Sequence, residues 1–269
     1  MIIDGPGADG DFVHSLARLK AWVRVTRTPC SYASEYAALQ LRGVAVRGGT
    51  PGRSIAETAE FSVLMMLMLV RRAIDVEQAL RGGDVKAIES LNHATGTLGD
   101  ETVGLVGLGR VGKAVTNLLT PYGPLILHAA RRSPQDCCAG AAGRYGDHVP
   151  LSELLARSTI VSLHLRDREG TWRLGEEQLA AMRRDAILIN TAQGRLVDET
   201  ALCAHLERGR LRAAGLDVFE REPLPADSPL RSAPNLLLTP HIAGKTRGAA
   251  QRLWKEACEA VIGVLYSAT

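Results

Sequence analysis

The first residues whose spacing can do chemistry lie in "GLGRVG", which sets Gly107, Gly109 and Gly112 in a G-x-G-x-x-G array. Alone, such an array reads equally well as a glycine-rich turn with no ligand. Here it follows an apolar β-type run, "TVGLVG" (Thr102–Gly107), and opens a helical pattern from Arg110 to Leu119. A strand, a glycine turn and a helix in that order are the context of a dinucleotide site. In that context Gly107 allows the tight turn, Gly109 lets a pyrophosphate approach the backbone, and Gly112 lets helix and strand pack closely. The amides of Arg110 and Val111 would then face the phosphates at the positive end of the helix.

The next β-type run, "LILHAA" (Leu125–Ala130), should end in an acid that binds the adenosine ribose hydroxyls, about 20 residues after the turn. It ends instead in Ala130, followed by Arg131 and Arg132. A carboxylate repels a 2′-phosphate, whereas a guanidinium pairs with one, often through two hydrogen bonds. The pattern therefore favours NADP, with NAD the alternative. Two surface arginines on a loop are the competing explanation.

The elements that would position these residues alternate along the chain. "PLSELLARS" has helical spacing at Leu151, Leu154 and Leu155, with Ser152 as its expected cap. "TIVSLHL" (Thr159–Leu165) is a strand, "GEEQLAAMRR" a helix and "AILIN" (Ala186–Asn190) a strand. "DETALCAHLERG" is helical and stops at Gly209. "AAGLDVF" (Ala213–Phe219) and "NLLLT" (Asn235–Thr239) close the series, with a proline-rich loop between them. Strands apolar on both faces and separated by helices imply a parallel sheet covered on both sides, the doubly wound α/β class.

Composition excludes several alternatives. The 269 residues, 46% of them hydrophobic, suffice for one large domain or two modest ones. A net charge of +3 with no basic stripe argues against nucleic acid as a partner. Cys30, Cys137, Cys138, Cys203 and Cys258 include no Cys-x-x-Cys pair. They read as free thiols of a reducing cytoplasm rather than a disulfide or metal framework, and no metal is expected. No signal peptide is legible at the N-terminus. The apolar run "VLMMLMLV" (Val63–Val70) is far short of the roughly 20 residues that cross a membrane. It reads as a helix buried on most sides, in a core or against a partner subunit.

Three further stretches, "PGRSIAETAEF" (Pro51–Phe61), "GLDVFEREPLP" (Gly215–Pro225) and "LLTPHIAG" (Leu237–Gly244), join "GLGRVG" and "INTAQGRLVDE" in one fixed order. With them the chain, from about Arg42 to its end, resembles the D-isomer-specific 2-hydroxyacid dehydrogenases. That group includes phosphoglycerate dehydrogenase and the glyoxylate/hydroxypyruvate reductases. The resemblance implies a Rossmann-type sheet domain over residues 53–244 and a second, smaller flavodoxin-like substrate domain from residues 1–52 and 245–269. The active site would lie in the cleft between them. It further implies a homodimer in contact through the helix after "PGRS", and hydride transfer between a nicotinamide and C2 of a 2-oxo or 2-hydroxy acid.

In that resemblance His241 is the acid/base residue, apt because an imidazole titrates near neutral pH. Glu222 is the carboxylate that favours its protonated form and fixes its tautomer. Asp217 accepts from the nicotinamide amide, while Leu165, Thr191, Ala192, Ala243 and Gly244 line the cofactor.

Four departures stand out. Gln193 occupies the position of the family's substrate-gripping arginine, and its amide donates a hydrogen bond but has neither charge nor bidentate fork. Arg195 is nearby, yet family members often carry a basic residue there as well, so it is not read as the replacement. About eighteen residues precede "LKAWVRV" (Leu19–Val25), which leads us to expect a trimmed substrate domain. The substrate loop "TRTPCSYAS" (Thr26–Ser34) lacks glycine, and Pro29 removes an amide donor. The proline of the family's "HxP" stretch is absent from "HLRDREG" (His164–Gly170). The expected activity is NADP(H)-dependent reduction of a carbonyl or imine with altered carboxylate recognition. The alternatives are an ordinary 2-oxo acid reductase and a catalytically silent dinucleotide-binding sensor or partner protein.

Overall fold

The computed structural model describes residues 2–3, 21–24, 45–48, 54–92, 94–130, 144–166, 170 and 172–266. Internal contacts divide the chain into two compact units, Met1–Ser54 with Lys245–Thr269, and Ile55–Gly244. In the first unit β1 (Ile2–Ile3), β2 (Ala21–Arg24) and β3 (Ala45–Gly48) form a parallel sheet in the order β1-β2-β3.

The second unit opens with α1 (Ile55–Val70), α2 (Ala73–Gly82) and α3 (Val85–Asn92). Then come β4 (Thr102–Val106), α4 (Arg110–Leu119), β5 (Leu125–Ala129), β6 (Asp147–His148), α5 (Leu151–Arg157) and β7 (Ile160–Leu163). The series ends with α6 (Glu176–Ala181), β8 (Ile187–Asn190), α7 (Glu199–Glu207), β9 (Ala213–Leu216) and β10 (Leu236–Leu238). The seven strands are parallel in the order β10-β9-β8-β7-β4-β5-β6. The chain winds outward from β4 to β6, then returns across β4 to β7. That reversal leaves a crevice at the carboxyl ends of β4 and β7, where ligands bind in open α/β sheets.

Strand residues alternate between two apolar layers, as the two-residue period requires. Leu127, Val161, Leu163, Leu188 and Leu216 pack under Leu154 and Leu155 of α5, Leu179 of α6 and Leu202 and Leu206 of α7. Val103, Leu105, Ile160, Ile187 and Ile189 pack under Ala59, Val63, Met65, Met66 and Val70 of α1 and Val115 and Leu119 of α4. The helix expected to be buried on most sides is so in this core, with exposure confined to the stripe of Ala56, Glu60 and Leu64. In the first unit α8 (Arg247–Tyr266) packs on β2.

Local signals mostly hold. Asp198 caps α7 by accepting from Ala201 N at 3.0 Å, and Gly209 follows the helix at φ 60°. The cap of α5 is different from that expected: Pro150 holds the position, and Ser152 lies inside the first turn. No helix among the described residues is long and apolar enough to cross a membrane, and no group of three or more potential metal ligands occurs among them. Cys203 is a buried free thiol and Cys258 an exposed one.

Candidate functional site

The glycine turn follows β4. Gly107 has φ 102°, and a Cβ there would lie 2.9 Å from the carbonyl carbon and oxygen of His164, just past the end of β7. A Cβ on Gly112 would lie 2.4 Å from Gly107 O, so close contact of α4 with the turn excludes a side chain. Gly109 differs, since nothing lies within 4 Å of where its Cβ would be. It is the N-cap of α4, and no side chain caps the helix. An open backbone cradle at an uncapped helix N-terminus fits a pyrophosphate. Leu165 presses on the same turn, its Cδ2 3.0 Å from where a Cβ of residue 107 would sit. Ala130 is half-buried beyond β5, and Arg131 and Arg132 lie outside the described residues, as do Cys30, Cys137, Cys138 and the Thr26–Ser34 loop.

His164 stands at the crevice with Nε2 3.0 Å from Ser162 Oγ. Burial holds its pKa down to about 4. The imidazole is therefore neutral at pH 7.

A second turn follows β8. Asn190, fully buried, donates from Nδ2 to Gln193 O at 2.8 Å and accepts at Oδ1 from Ala192 N at 3.1 Å. These two bonds close the turn that carries Gln193. Thr191 points its hydroxyl at Ser62 of α1, 2.7 Å away. Gly194 then runs against the backbone after β9, where a Cβ would lie 1.9 Å from the carbonyl carbon and oxygen of Phe219. Gln193 is half-buried, and its Oε1 lies 3.4 Å from Arg195 Nη2, which makes the amide nitrogen the donor end.

The third component is the loop after β10. His241 Nδ1 lies 2.6 Å from Glu222 Oε2, and Glu222 Oε1 accepts from Phe219 N at 3.1 Å. A carboxylate only accepts, so Nδ1 carries the proton and Nε2 is the end that can exchange one with a substrate. The imidazole is half exposed. His241 has φ 53°, a left-handed conformation uncommon for a residue with a side chain. Asp217 secures it. The fully buried carboxylate accepts at Oδ1 from Thr239 Oγ1 (2.6 Å) and Ile242 N (2.8 Å), and at Oδ2 from Ala243 N (2.8 Å). Those bonds grip the loop on both sides of His241. Asp217 N also donates to Asn190 O at 3.0 Å, which joins this loop to the Gln193 turn. Ala243 and Gly244, which follow on the same loop, are buried.

The ends of β8, β9 and β10 thus bring Gln193, Glu222 and His241 into one bonded assembly, and the glycine turn lies at the same edge of the sheet. Sequence spacing did not reveal Asn190, Ser62, Gly194 or Thr239. The available signals were a polar residue ending the apolar run "AILIN" and a lone hydroxyl in "EFSVLMMLMLV".

A doubly wound sheet with an open glycine cradle at its switch point and a carboxylate-paired histidine at the same edge defines a Rossmann-type dinucleotide-binding protein equipped for proton transfer. Comparison with known proteins narrows this class. Residues 63–243 match the family described as D-isomer specific 2-hydroxyacid dehydrogenase, NAD binding domain. The chain is 35% identical over 247 residues to a glyoxylate reductase of Korarchaeum cryptofilum, covering 88% of this chain and 72% of that one. It is 38% identical over 218 residues to a glyoxylate reductase of Thermofilum pendens, covering 80% of this chain and 64% of that one. Among solved structures, the TT0316 protein of Thermus thermophilus superimposes with a TM-score of 0.81 at 34% identity, over 98% of this chain and 80% of that one. An acyclic imino acid reductase in complex with NADPH and D-Arg superimposes with a TM-score of 0.77 at 25% identity, over 99% and 82%. The chain belongs to the D-isomer-specific 2-hydroxyacid dehydrogenase family. It is thereby placed among the oxidoreductases that act on CH–OH groups with a nicotinamide dinucleotide.

Proposed function

We propose that this chain is an NADP(H)-dependent reductase of a carbonyl or imine carbon, with altered recognition of the substrate carboxylate. The observation that carries the reading is the 2.6 Å His241–Glu222 pair on a loop fixed by Asp217. The bound dinucleotide supplies the hydride. His241 Nε2 delivers the proton to the oxygen or nitrogen that gains negative charge, and Glu222 stabilises the charged imidazole and keeps Nδ1 protonated. Gly107, Gly109, Arg110, Val111 and Gly112 hold the pyrophosphate. Leu165, Thr191, Ala192, Ala243 and Gly244 border the cofactor, whereas Asp217, expected to accept from the nicotinamide amide, is fully buried and spends its carboxylate on Thr239, Ile242 and Ala243 of the His241 loop. Arg131 and Arg132, with no acid at Ala130, bind the 2′-phosphate.

Gln193 faces the substrate in place of an arginine. A neutral amide gives a carboxylate one hydrogen bond instead of a charged fork, and removal of one preorganised donor typically costs about 10²–10³ in rate. A substrate that needs no such clamp escapes that loss. The imino acid reductase among the structural neighbours, solved with NADPH, supports both the imine and the cofactor. The glyoxylate reductases support the runner-up, an ordinary 2-oxo acid reductase. In this reading Ile55–Gly244 is the cofactor domain and Met1–Ser54 with Lys245–Thr269 the substrate domain. The protein works in the cytoplasm as a homodimer through the outer face of α1, where Leu64 is exposed.

The test is oxidation of NADPH and NADH with glyoxylate, hydroxypyruvate, neutral ketones, and neutral imines formed from ketones and amines. Faster turnover of NADPH on ketones or imines than on glyoxylate, abolished by His241→Ala, is expected. Robust turnover of glyoxylate would overturn the claim about carboxylate recognition. Tight NADPH binding without hydride transfer to any acceptor would favour the silent binder instead.

A further inference from the structure

Helix α1 is apolar along "FSVLMMLMLV" except at Ser62, which is fully buried. A buried hydroxyl adds little to stability when it is satisfied and costs stability when it is not. Ser62 is satisfied twice. Its Oγ lies 2.7 Å from Thr58 O, one turn back, and 2.7 Å from Thr191 Oγ1. The hydroxyl has one proton. Given to the Thr58 carbonyl, it leaves Thr191 as the donor to Ser62. The Thr191 hydroxyl is thereby locked toward α1.

Thr191 opens the turn that ends in Gln193. Asn190 fixes that turn through Gln193 O and Ala192 N. Ser62 fixes it from outside, through a bond between residues 129 positions apart. The bonds that Asn190 makes hold the backbone of the turn, whereas the bond to Ser62 holds the Thr191 side chain against the helix that packs on β8. We propose that Ser62 is a positioning residue for the substrate-facing turn, setting the direction of Gln193 through Thr191. It touches neither substrate nor cofactor. The proposal rests on the assignment of Gln193 to the substrate.

The experiment uses the full chain with NADPH and the best wild-type carbonyl or imine substrate. Ser62→Ala is expected to lower kcat about tenfold and to leave NADPH affinity within about twofold, since one hydrogen bond is lost away from the glycine turn. Ser62→Thr keeps the hydroxyl and restores kcat to within about threefold. Thr191→Val removes the same bond from the other side and, where Ser62→Ala folds poorly, repeats its loss of kcat. In a Gln193→Ala background the Ser62→Ala effect should largely vanish, because residues acting through one another are not additive. Two results overturn the proposal: Ser62→Ala with a lower Tm but wild-type kcat, or fully multiplicative effects of Ser62→Ala and Gln193→Ala. A Gln193→Ala variant with unchanged kcat/KM overturns instead the assignment of Gln193 itself.

Discussion

Replacement of Gly194 by alanine adds one methyl group between two backbones of the site. That methyl would lie 1.9 Å from the carbonyl carbon and oxygen of Phe219 and 2.5 Å from Glu220 N. All three are main-chain atoms, so no side chain can swing aside. To reach ordinary van der Waals contact the strands of chain must part by about 1.5 Å, a shift of the size that costs about 10² in rate when it displaces reacting groups. The two sides carry different parts of the site. On one, Gln193 directly precedes the glycine. On the other, Phe219 N donates to Glu222, the partner of His241. We therefore expect Gly194→Ala to lower kcat at saturating NADPH by about 10² and to lower stability to urea by about 1–3 kcal/mol, as overpacking does. NADPH binding, measured by fluorescence, should change little, because the cradle at Gly109 belongs to another turn. Gly175→Ala is the comparator, since a Cβ there would meet only Gln178 Oε1, at 3.7 Å. Wild-type kcat in folded Gly194→Ala would refute the idea that this backbone contact sets the spacing of the site.

Two further outcomes follow from the same geometry. Gln193→Arg restores a charged fork and should raise kcat/KM for glyoxylate by about 10²; no gain in steady-state assays would place the loss of carboxylate recognition outside this turn. His164 has a folded pKa near 4 against 6.5, so between those values the unfolded chain takes up a proton that the folded one refuses. Its contribution is complete above pH 6.5 and is lost as pH falls to 4, about 3 kcal/mol in all. Urea unfolding at pH 7.5 and 4.5 should show a smaller acid loss in His164→Gln than in wild type, and equal losses would sink the argument.

Much of this fold was legible because its signals are local. Strands such as "AILIN" and "TIVSLHL" are apolar on both faces, and the glycine turn sits between a strand and a helix at a fixed spacing. The strands are shorter than their apolar runs: β9 stops at Leu216 because Asp217 turns to bind the loop after β10. Helices α2 and α3 were not read from the sequence. No residue of α2 is buried, and Leu80 and Val85 are exposed, so the apolar residues of these two short helices mark no deep core face. The pairing of His241 with Glu222 was expected from resemblance, while the supports of the site were not. Ser62 to Thr191 and Asp217 to Ala243 are contacts between distant residues. Nothing in the periodicity of either segment announces such a bond.

The backbone of the turn at 190–194 is shaped by Asn190, by Thr191 against Ser62, and by Gly194 against Phe219. None of these supports uses the side chain at 193. That position is an exchangeable slot on a rigid mount, and glutamine and arginine codons differ by a single base. If Gln193→Arg gains activity as expected, a lineage carrying this scaffold can trade one substrate chemistry for another by point mutation, with no intermediate in which the site must be rebuilt.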